Sequence, residues 1–320
     1  MNRIFYSNIR WRNKRLYWGN KCVPFIGKKD TWSIGIYVGN SPFNLAPCND
    51  FNNPVLTAKH VTDVPADFVA DPFMVKVNNT WHMFFEVLNS KTKKGDIGLA
   101  ISNDGLSWTY KQIVLNEPFH LSYPYTFKWK NEWYMIPEST EAEDKEIRLY
   151  KAIEFPLRWT FVKALLKGRY ADSSIFSFND IWWIFAETNP LGGHDTLSLY
   201  YAYDLMGPWY EHPKNPIITR NAHISRPGGR VIMVDGRIIR FAQDDSPIYG
   251  NAVRAFEVID LTTETYKENE VPGNPILKGT GFGWNKKGMH HIDPHQLDSS
   301  KWIACVDGFR DSVVLWPRMG

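Results

Sequence analysis

The sequence is poor in cysteine and has no long apolar run. Its 320 residues include three cysteines, which are scattered and lack the spacing of a metal site. An odd, scattered set favours reduced thiols over a disulfide framework. No run of about 18 apolar residues occurs, which excludes a membrane-spanning helix. Residues 1–18 have Arg and Asn where a signal peptide needs an unbroken apolar core, so we expect a cytoplasmic protein.

Acidic residues are absent from the first 29 positions, which contain eight Lys or Arg residues interleaved with aromatic and aliphatic ones. Residues 1–30 are therefore predicted to form a basic arm. This arm either docks on a membrane surface or a partner enzyme, or packs on the side of the fold with its charges solvated. Residues 31–320 contain no linker or low-complexity tract, so we expect one domain there. Basic residues beyond the arm are mixed with acidic ones and no recognised motif occurs, which argues against a nucleic-acid partner.

Aromatic residues make up 15% of the chain and lie mostly in runs that alternate between apolar and polar positions, as strands do. One seventeen-residue phrase occurs three times and ends each time in Glu. In it, a polar residue opens a first strand, a polar turn follows and an apolar second strand returns. A period of about 50 residues built of short strands is typical of a β-propeller with one four-stranded blade per repeat. The five copies, of which the last two differ in length, are Ala70–Glu86, Ser122–Glu138, Ala171–Glu187, Ser225–Gln243 and Ile292–Asp307.

The predicted fold is therefore all-β, a five-bladed β-propeller. Too little chain follows the fifth copy to finish a blade, so we expect an N-terminal strand to close the ring. The candidates are Trp32–Val38 and the phrase NPVLTA at 53–58. Radial repetition places equivalent residues around one axis, so the residue that opens each copy should reach the mouth of the central channel. These openers are Asp71, Tyr123, Asp172, Arg226 and Asp293.

The order of the openers resembles that of glycoside hydrolase family 43. Its five-bladed propellers have an Asp as general base on blade 1, an orienting Asp on blade 3 and a Glu as general acid on blade 4. Asp71-Pro72 and Asp172, which precedes Ser-Ser-Ile-Phe, match the first two positions, whereas the third is Arg226. The resemblance implies Asp71 as base and Asp172 as orienting group, with the acid missing.

A closer resemblance covers nearly the whole chain. The phrases WSIGIYVGNSP, FVADPFM, KGDIGLAISNDG, HLSYPY and RPGGR are similar to the family 43-like propeller found at the N-terminus of plant glucosamine inositolphosphorylceramide transferases. Similar bacterial propellers accompany sugar-modifying enzymes. This resemblance implies a carbohydrate-active protein of glycan, glycolipid or polysaccharide biosynthesis.

Arg226 restricts the chemistry, because a guanidinium cannot protonate the leaving group of an ordinary glycoside. A two-carboxylate mechanism then needs another acid, for which Glu138 and Glu187 at the ends of second strands are the candidates. Alternatively, Arg226 holds the phosphate of an anionic donor while Asp71 activates an acceptor hydroxyl, or it is only a structural partner of Glu138 or Glu187. Further carboxyl groups at comparable positions are Glu86, Asp244 and Asp245.

Blade 5 has a second cluster, since His291, Asp293 and His295 share one face if the segment is a strand. The spacing suits a divalent metal or an anionic sugar, or else a hydrogen-bonding axial His or plain structure; no other cofactor is expected. On blade 2, His120 and Tyr123 are expected to bind a sugar at the mouth, unless Tyr123 packs between blades. The predicted substrate-binding residues also include Arg226, Arg230 and Asp244.

Three functions remain open at this point. The first is glycosyl transfer from an anionic, phosphate-bearing sugar donor in glycan or glycolipid assembly. The second is a family 43-type glycosidase, with Glu138 or Glu187 as its acid. The third is a sugar-binding or scaffolding propeller without catalytic activity.

Overall fold

The computed structural model describes residues 14–18, 21–48 and 51–315. The described chain is nearly all β-strand and forms five antiparallel sheets. The first three strands belong to the last blade and are described with it below. They are β1 (Lys14–Trp18), β2 (Lys21–Ser41) and β3 (Asn44–Pro47).

Blades 1 to 3 each have four strands that pair with their neighbours in chain order. A 3₁₀ helix (Ala58–His60) precedes blade 1. Blade 1 consists of β4 (Ala66–Val77), β5 (Thr80–Asn89), β6 (Gly95–Ser102) and β7 (Thr109–Leu115). Blade 2 consists of β8 (Ser122–Trp129), β9 (Glu132–Glu138), β10 (Glu146–Glu154) and β11 (Arg158–Lys167). Blade 3 consists of β12 (Ala171–Phe178), β13 (Ile181–Glu187), β14 (Leu197–Ala202) and β15 (Tyr210–Glu211).

Blade 4 is more broken, because its first strand is interrupted at the Pro-Gly-Gly of the longer repeat. Its strands are β16 (Arg226–Pro227), β17 (Ile232–Val234), β18 (Arg237–Asp244), β19 (Ala252–Leu261), β20 (Tyr266–Glu270) and β21 (Leu277–Lys278). A second 3₁₀ helix (Gly283–Asn285) leads to blade 5. Blade 5 begins with β22 (Ile292–Asp298) and β23 (Lys301–Leu315).

An N-terminal strand closes the ring, as the sequence predicted. Strand β2 pairs with β23 from Ile26 opposite Leu315 to Gly39 opposite Trp302. The phrase at 53–58 joins the same sheet: the side-chain amide of Asn53 bonds the backbone N–H and C=O of Ile36. Blade 5 therefore contains both ends of the described chain, which removes the open edge that a five-bladed ring would otherwise have.

The innermost strands surround one axis. Strand β8 contacts both β4 and β12, β12 contacts β16, and β22 contacts β4. A bridge between Gly229 and Ile292 completes the circle. Apolar side chains fill the spaces between blades in separate clusters, one of which joins Phe73 of blade 1 to Tyr125 of blade 2 and Ile175 of blade 3. The prediction of a five-bladed propeller is confirmed.

The predicted basic arm is described only in part, since residues 1–13 and 19–20 lie outside the described residues. Its remaining residues form β1 and the start of β2, which pair with each other. The Lys29 ammonium lies 2.5 Å from Asp67 of blade 1. Among the described residues, no helix has the length and apolarity to cross a membrane.

Candidate active site at the mouth of the channel

Three of the predicted openers share an unusual backbone conformation. Asp71, Tyr123 and Asp172 have φ angles of 52°, 48° and 46°, in the left-handed region that residues other than glycine rarely adopt. Each lies at a shift of register in the pairing of its first strand with the second. A bulge of this kind bends the strand and redirects the side chain, and such strained positions are common at functional sites. The bulges turn these three side chains toward the axis.

A second set of polar residues comes from the ends of the second strands. Glu86, Glu138 and Glu187 stand opposite Ala70, Ser122 and Ala171, just before the bulges. On blade 4, Gln243 occupies this place opposite Arg226. On blade 5 the residue after Val306, which pairs with Ile292, is Asp307. All five blades therefore place a carboxyl or amide group beside the mouth.

Asp71 lies in a buried and sparsely bonded position. Its Oδ2 accepts a hydrogen bond from the backbone N–H of Tyr123 at 3.3 Å, and its own N–H donates to Asp307 Oδ2 at 3.0 Å. The other oxygen, Oδ1, has no hydrogen-bond partner among the described residues and lies 3.7 Å from His290 Nε2. Burial raises the pKa of Asp71 to about 8; His290 opposes this rise, and Asp172 and Glu86 add to it.

His290 is held against Asp71 from two sides. Its Nδ1 lies 2.8 Å from Asp307 Oδ1, and Trp32 stacks on the ring with centroids 4.0 Å apart. Asp307 also accepts the backbone N–H groups of Asp71, His290 and His291. Burial alone would lower the pKa of His290, but Asp307 outweighs it and the pKa is raised to about 9. The sequence did not point to Asp307 or Trp32 as residues of the site, although the fifth repeat ends in Asp307 where the first three copies end in Glu.

On the opposite side of the mouth, Arg226 forms a buried ion pair with Asp172. The guanidinium Nε lies 2.6 Å from Asp172 Oδ2, and Nη2 lies 3.4 Å from Glu138 Oε2. Both Arg226 and Asp172 are at most 3% exposed. Burial would raise the pKa of Asp172, but the guanidinium outweighs it and holds this pKa well below its usual range. Of the two structural partners considered for Arg226, the structure brings Glu138 into contact.

The other predicted residues of the mouth form two His–Glu pairs. His120 Nδ1 accepts the N–H of Gly95 at 2.8 Å, so its proton resides on Nε2, which faces Glu86 Oε1 at 3.1 Å. Glu187 is fully buried, and its Oε2 lies 3.4 Å from Nδ1 of His194. The same His194 nitrogen lies 3.5 Å from Arg226 Nη1. Glu138 and Glu187 thus both lie near Arg226.

Comparison with known proteins places the chain in a family. A sequence model of the N-terminal domain of glucosamine inositolphosphorylceramide transferase 1 matches residues 26–309. The chain belongs to this family. The protein of that name from Oryza sativa subsp. japonica is 39% identical over 311 residues, and the one from Arabidopsis thaliana is 37% identical over 300. These matches cover 90% and 88% of this chain but 41% and 39% of the relatives, so the chain spans about two fifths of their length.

Solved structures confirm the fold of this member of the family. A thermostable family-43 glycoside hydrolase has a TM-score of 0.58 and 14% identity, with 84% of this chain and 98% of that chain covered. A β-1,2-mannobiose phosphorylase from Listeria innocua has a TM-score of 0.58 and 13% identity, with 85% and 96% covered. At such low identity the likeness concerns the fold alone. Both resemblances seen in the sequence are confirmed to this extent.

In this member of the family, Tyr123 closes the channel below the mouth. The side chain is fully buried and reaches across the axis, where its hydroxyl contacts Ser174 Oγ at 2.8 Å and the backbone of Gly229. Phe73 and His291 pack edge-on against its ring. This geometry favours the packing alternative over a sugar-stacking role, because a ligand cannot reach the ring.

Arg230 and Asp293 lie deeper in the channel. They form a bidentate ion pair, with Nε 2.6 Å from Oδ1 and Nη2 3.3 Å from Oδ2, and Asp293 also accepts the N–H of Met74. Asp293 pairs with Cys305 on blade 5 in the same way that Phe73 pairs with Phe84 on blade 1. Because Phe73 follows the bulge at Asp71, Asp293 also lies below the position of the bulges. The sequence predicted that Asp293 would reach the mouth together with Asp71, and the structure places it deeper in the channel instead.

The predicted cluster on blade 5 is only partly assembled. His295 Nε2 lies 3.1 Å from Asp293 Oδ2, whereas neither ring nitrogen of His291 has a hydrogen-bond partner among the described residues. In the described chain, the group of His, Cys, Asp and Glu whose ligand atoms come within 4.8 Å of one another is instead Asp71, His290 and Asp307. There the His290–Asp307 hydrogen bond already occupies one ring nitrogen.

Asp244 is engaged at the edge of the mouth. Its Oδ1 lies 2.7 Å from His223 Nδ1, and its Oδ2 accepts Arg254 Nε at 2.9 Å. Asp245 accepts the N–H of Gly250 at 2.9 Å and so shapes the loop after β18. These contacts explain both carboxyl groups as supports of the surrounding loops.

Proposed function

We propose that the mouth of this propeller binds a sugar and transfers it in glycan or glycolipid assembly, with Asp71 as the acid–base residue. The observation that supports this proposal is the unequal pair Asp71 and Asp172. Both side chains are buried with one oxygen lacking a hydrogen-bond partner among the described residues, but the Arg226 guanidinium lies 2.6 Å from Asp172, whereas His290 lies 3.7 Å from Asp71. Their pKa values are pushed in opposite directions, the raised one to about 8, which is the pattern of paired carboxyls in sugar-processing enzymes.

The two carboxyl groups would then have roles that differ from those implied by the resemblance to family 43. Asp71 carries its proton at neutral pH, so it can donate that proton to the oxygen of a leaving group. Once ionised, it can take a proton from the acceptor hydroxyl and return to its starting state. Asp172 stays ionised in its pair with Arg226, and its charge adds to the rise of the Asp71 pKa. On this proposal Glu138 and Glu187 are not needed as replacement acids.

The charges at the mouth bear on the donor. Among the described residues at the mouth, carboxyl groups outnumber the cations Arg226 and His290, and the guanidinium is already matched by Asp172 and Glu138. A phosphate-bearing donor would have to replace Glu138, whose 3.4 Å contact is the longer of the two. An amino sugar with a free ammonium group suits the surplus of acids without this exchange, and the relatives' printed name contains glucosamine.

Hydrolysis is the second candidate, and the same carboxyl pair supports it. Water in place of the acceptor hydroxyl would turn the transfer into a glycosidase reaction without any change in the residues used. We also propose, from the sequence alone, that the basic segment 1–30 contacts an enzyme partner or an anionic membrane surface.

The test is turnover of a defined donor panel by wild type, Asp71→Asn and Asp172→Asn. The panel contains UDP-N-acetylglucosamine, glucosamine 1-phosphate and p-nitrophenyl glycosides of glucosamine, with chitobiose and water as acceptors and products followed by mass spectrometry. We expect Asp71→Asn to lower turnover at least about 100-fold while a thermal shift by the sugar persists. Asp235→Asn, in an exposed turn, is the matched control.

Two outcomes would contradict the proposal. Unchanged turnover in Asp71→Asn would remove Asp71 from the chemistry. Thermal stabilisation by sugars without turnover of any donor would instead identify a binding module. Loss of donor binding in Arg226→Ala for phosphate-bearing sugars alone would support the anionic donor.

A further inference from the structure

Two residues that the sequence did not point to, His194 and Tyr249, lie beside Arg226 on loops of neighbouring blades. One loop joins β13 to β14 on blade 3 and carries His194; the other joins β18 to β19 on blade 4 and carries Tyr249. The Tyr249 ring centroid lies 5.2 Å from the guanidinium carbon, within cation–π range, and 6.4 Å from the His194 ring.

Tyr249 also contacts the Asp71 side of the mouth. Its ring meets His290 edge-on with centroids 5.4 Å apart, and meets Trp32 edge-on at 6.2 Å. One aromatic ring therefore touches both cations of the site, Arg226 beside Asp172 and His290 beside Asp71. Tyr249 is partly buried, and its ring lies between the two cations that flank Asp71 and Asp172. A sugar held between the two carboxyl groups would lie next to this ring.

The loop that carries Tyr249 is held in place by its own hydrogen bonds. The Gly250 N–H donates to Asp245 Oδ1 at 2.9 Å, and the Asn251 amide donates to the Ser246 carbonyl at 3.1 Å. Gly250 has a φ of 69°, and a Cβ at this position would come within 2.4 Å of the Trp32 ring. Glycine is thus required for the loop to lie against Trp32, and this contact fixes where Tyr249 stands.

We propose that Tyr249 is the stacking surface of the sugar site and selects a pyranose with a continuous apolar face. Aromatic side chains that combine an apolar ring with a polar tip suit this role, because the ring covers the C–H face and the hydroxyl stays near polar groups. The inference rests on the proposed function for the position of the sugar. It adds a specificity residue that neither the repeat pattern nor the family 43 assignment contains.

The test measures sugar binding by calorimetry in an Asp71→Asn background, which separates binding from turnover. The probes are glucosamine, N-acetylglucosamine and UDP-N-acetylglucosamine, with talose, whose axial hydroxyls break the apolar face, as the comparison sugar. We expect Tyr249→Ala to weaken the affinity for the equatorial sugars about tenfold and to reduce the preference over talose. Tyr249→Phe keeps the ring and should stay within about threefold of the parent.

Tyr203→Ala is the matched control, because Tyr203 is 67% exposed and lies on the β14–β15 segment away from the mouth. Binding by Tyr249→Ala equal to that of the parent, with its melting curve intact, overturns the inference but leaves the proposed function standing. Weakened binding in Tyr249→Ala together with unchanged turnover in Asp71→Asn in the otherwise wild-type protein supports the inference and rejects the proposed function. Absence of binding by every probe contradicts both.

Discussion

Replacement of Arg226 by Met tests whether the buried ion pair at the mouth is held together as the structure shows. The variant keeps much of the side-chain volume but removes the positive charge 2.6 Å from Asp172. Asp172 is 1% exposed and cannot recover its lost partner from water. The free energy of unfolding should therefore fall at neutral pH, where Asp172 is ionised.

The expected loss follows from the burial of both partners. Breaking a buried pair by removing one member costs about 3–5 kcal/mol, since the remaining charge stays desolvated. An unfolding entropy of about 2.1 cal/mol/K per residue over 320 residues means that about 1 kcal/mol lowers the melting temperature by roughly 1.5 °C, so we expect a fall of roughly 4–8 °C. Gln243, which donates to the same oxygen of Asp172, places the result toward the lower end.

The interaction of the two side chains is tested by urea unfolding of four proteins: wild type, Arg226→Met, Asp172→Asn and the double variant. Arg226→Met leaves the Asp172 charge buried without the guanidinium, and Asp172→Asn leaves Arg226 only its longer contact with Glu138. The double variant removes both charges of the close pair, although Glu138 still loses the guanidinium. The double variant should therefore be more stable than the sum of the single losses predicts, by about 2 kcal/mol or more. Strict additivity would refute the reasoning, because it would mean that the two side chains do not interact.

Two further predictions concern blade 5. Asp307 raises the pKa of His290 to about 9 from its usual 6.5, so the folded state binds more protons than the unfolded state between these pH values. The free energy of unfolding should therefore fall as the pH rises from about 6.5 to about 9. Equal slopes for wild type and His290→Gln in urea titrations at pH 6, 7.5 and 9 would contradict this. Asp293→Asn should cost about 3–5 kcal/mol because Arg230 loses its bidentate partner, yet leave sugar affinity unchanged, and a calorimetric loss of affinity would place Asp293 in the site after all.

The repeat made the fold predictable because each blade needs the same hairpin. Three copies of one phrase at similar intervals imply a radial arrangement, and the Asn-Pro-apolar phrase at 53–58, ahead of the first copy, suggests closure by an N-terminal segment. The pairing of β2 with β23 confirms both points. A small error in aligning the repeats does not change this prediction, because the number of blades depends on the number of repeats and not on their register.

The site was less predictable because it depends on register. Arg226 stands opposite Gln243 as Ala171 stands opposite Glu187, one position before the bulge residue Asp172. The two extra residues of the fourth repeat hid this shift of one position. In the shorter fifth repeat the shift has the opposite direction, so Asp293 lies below the mouth, whereas Asp307 at the end of the repeat belongs to the mouth.

Arg226 changes the site in a way that the loss of a general acid does not describe. Its guanidinium keeps Asp172 ionised, and the charge of Asp172 in turn contributes to the raised pKa of Asp71 after burial itself. The arginine thus helps to separate the protonation states of two carboxyl groups, which is the property that acid–base chemistry at a sugar needs. If it were exchanged for a neutral residue, Asp172 would compete with Asp71 for the proton. A residue that cannot donate a proton can therefore still decide which of its neighbours does.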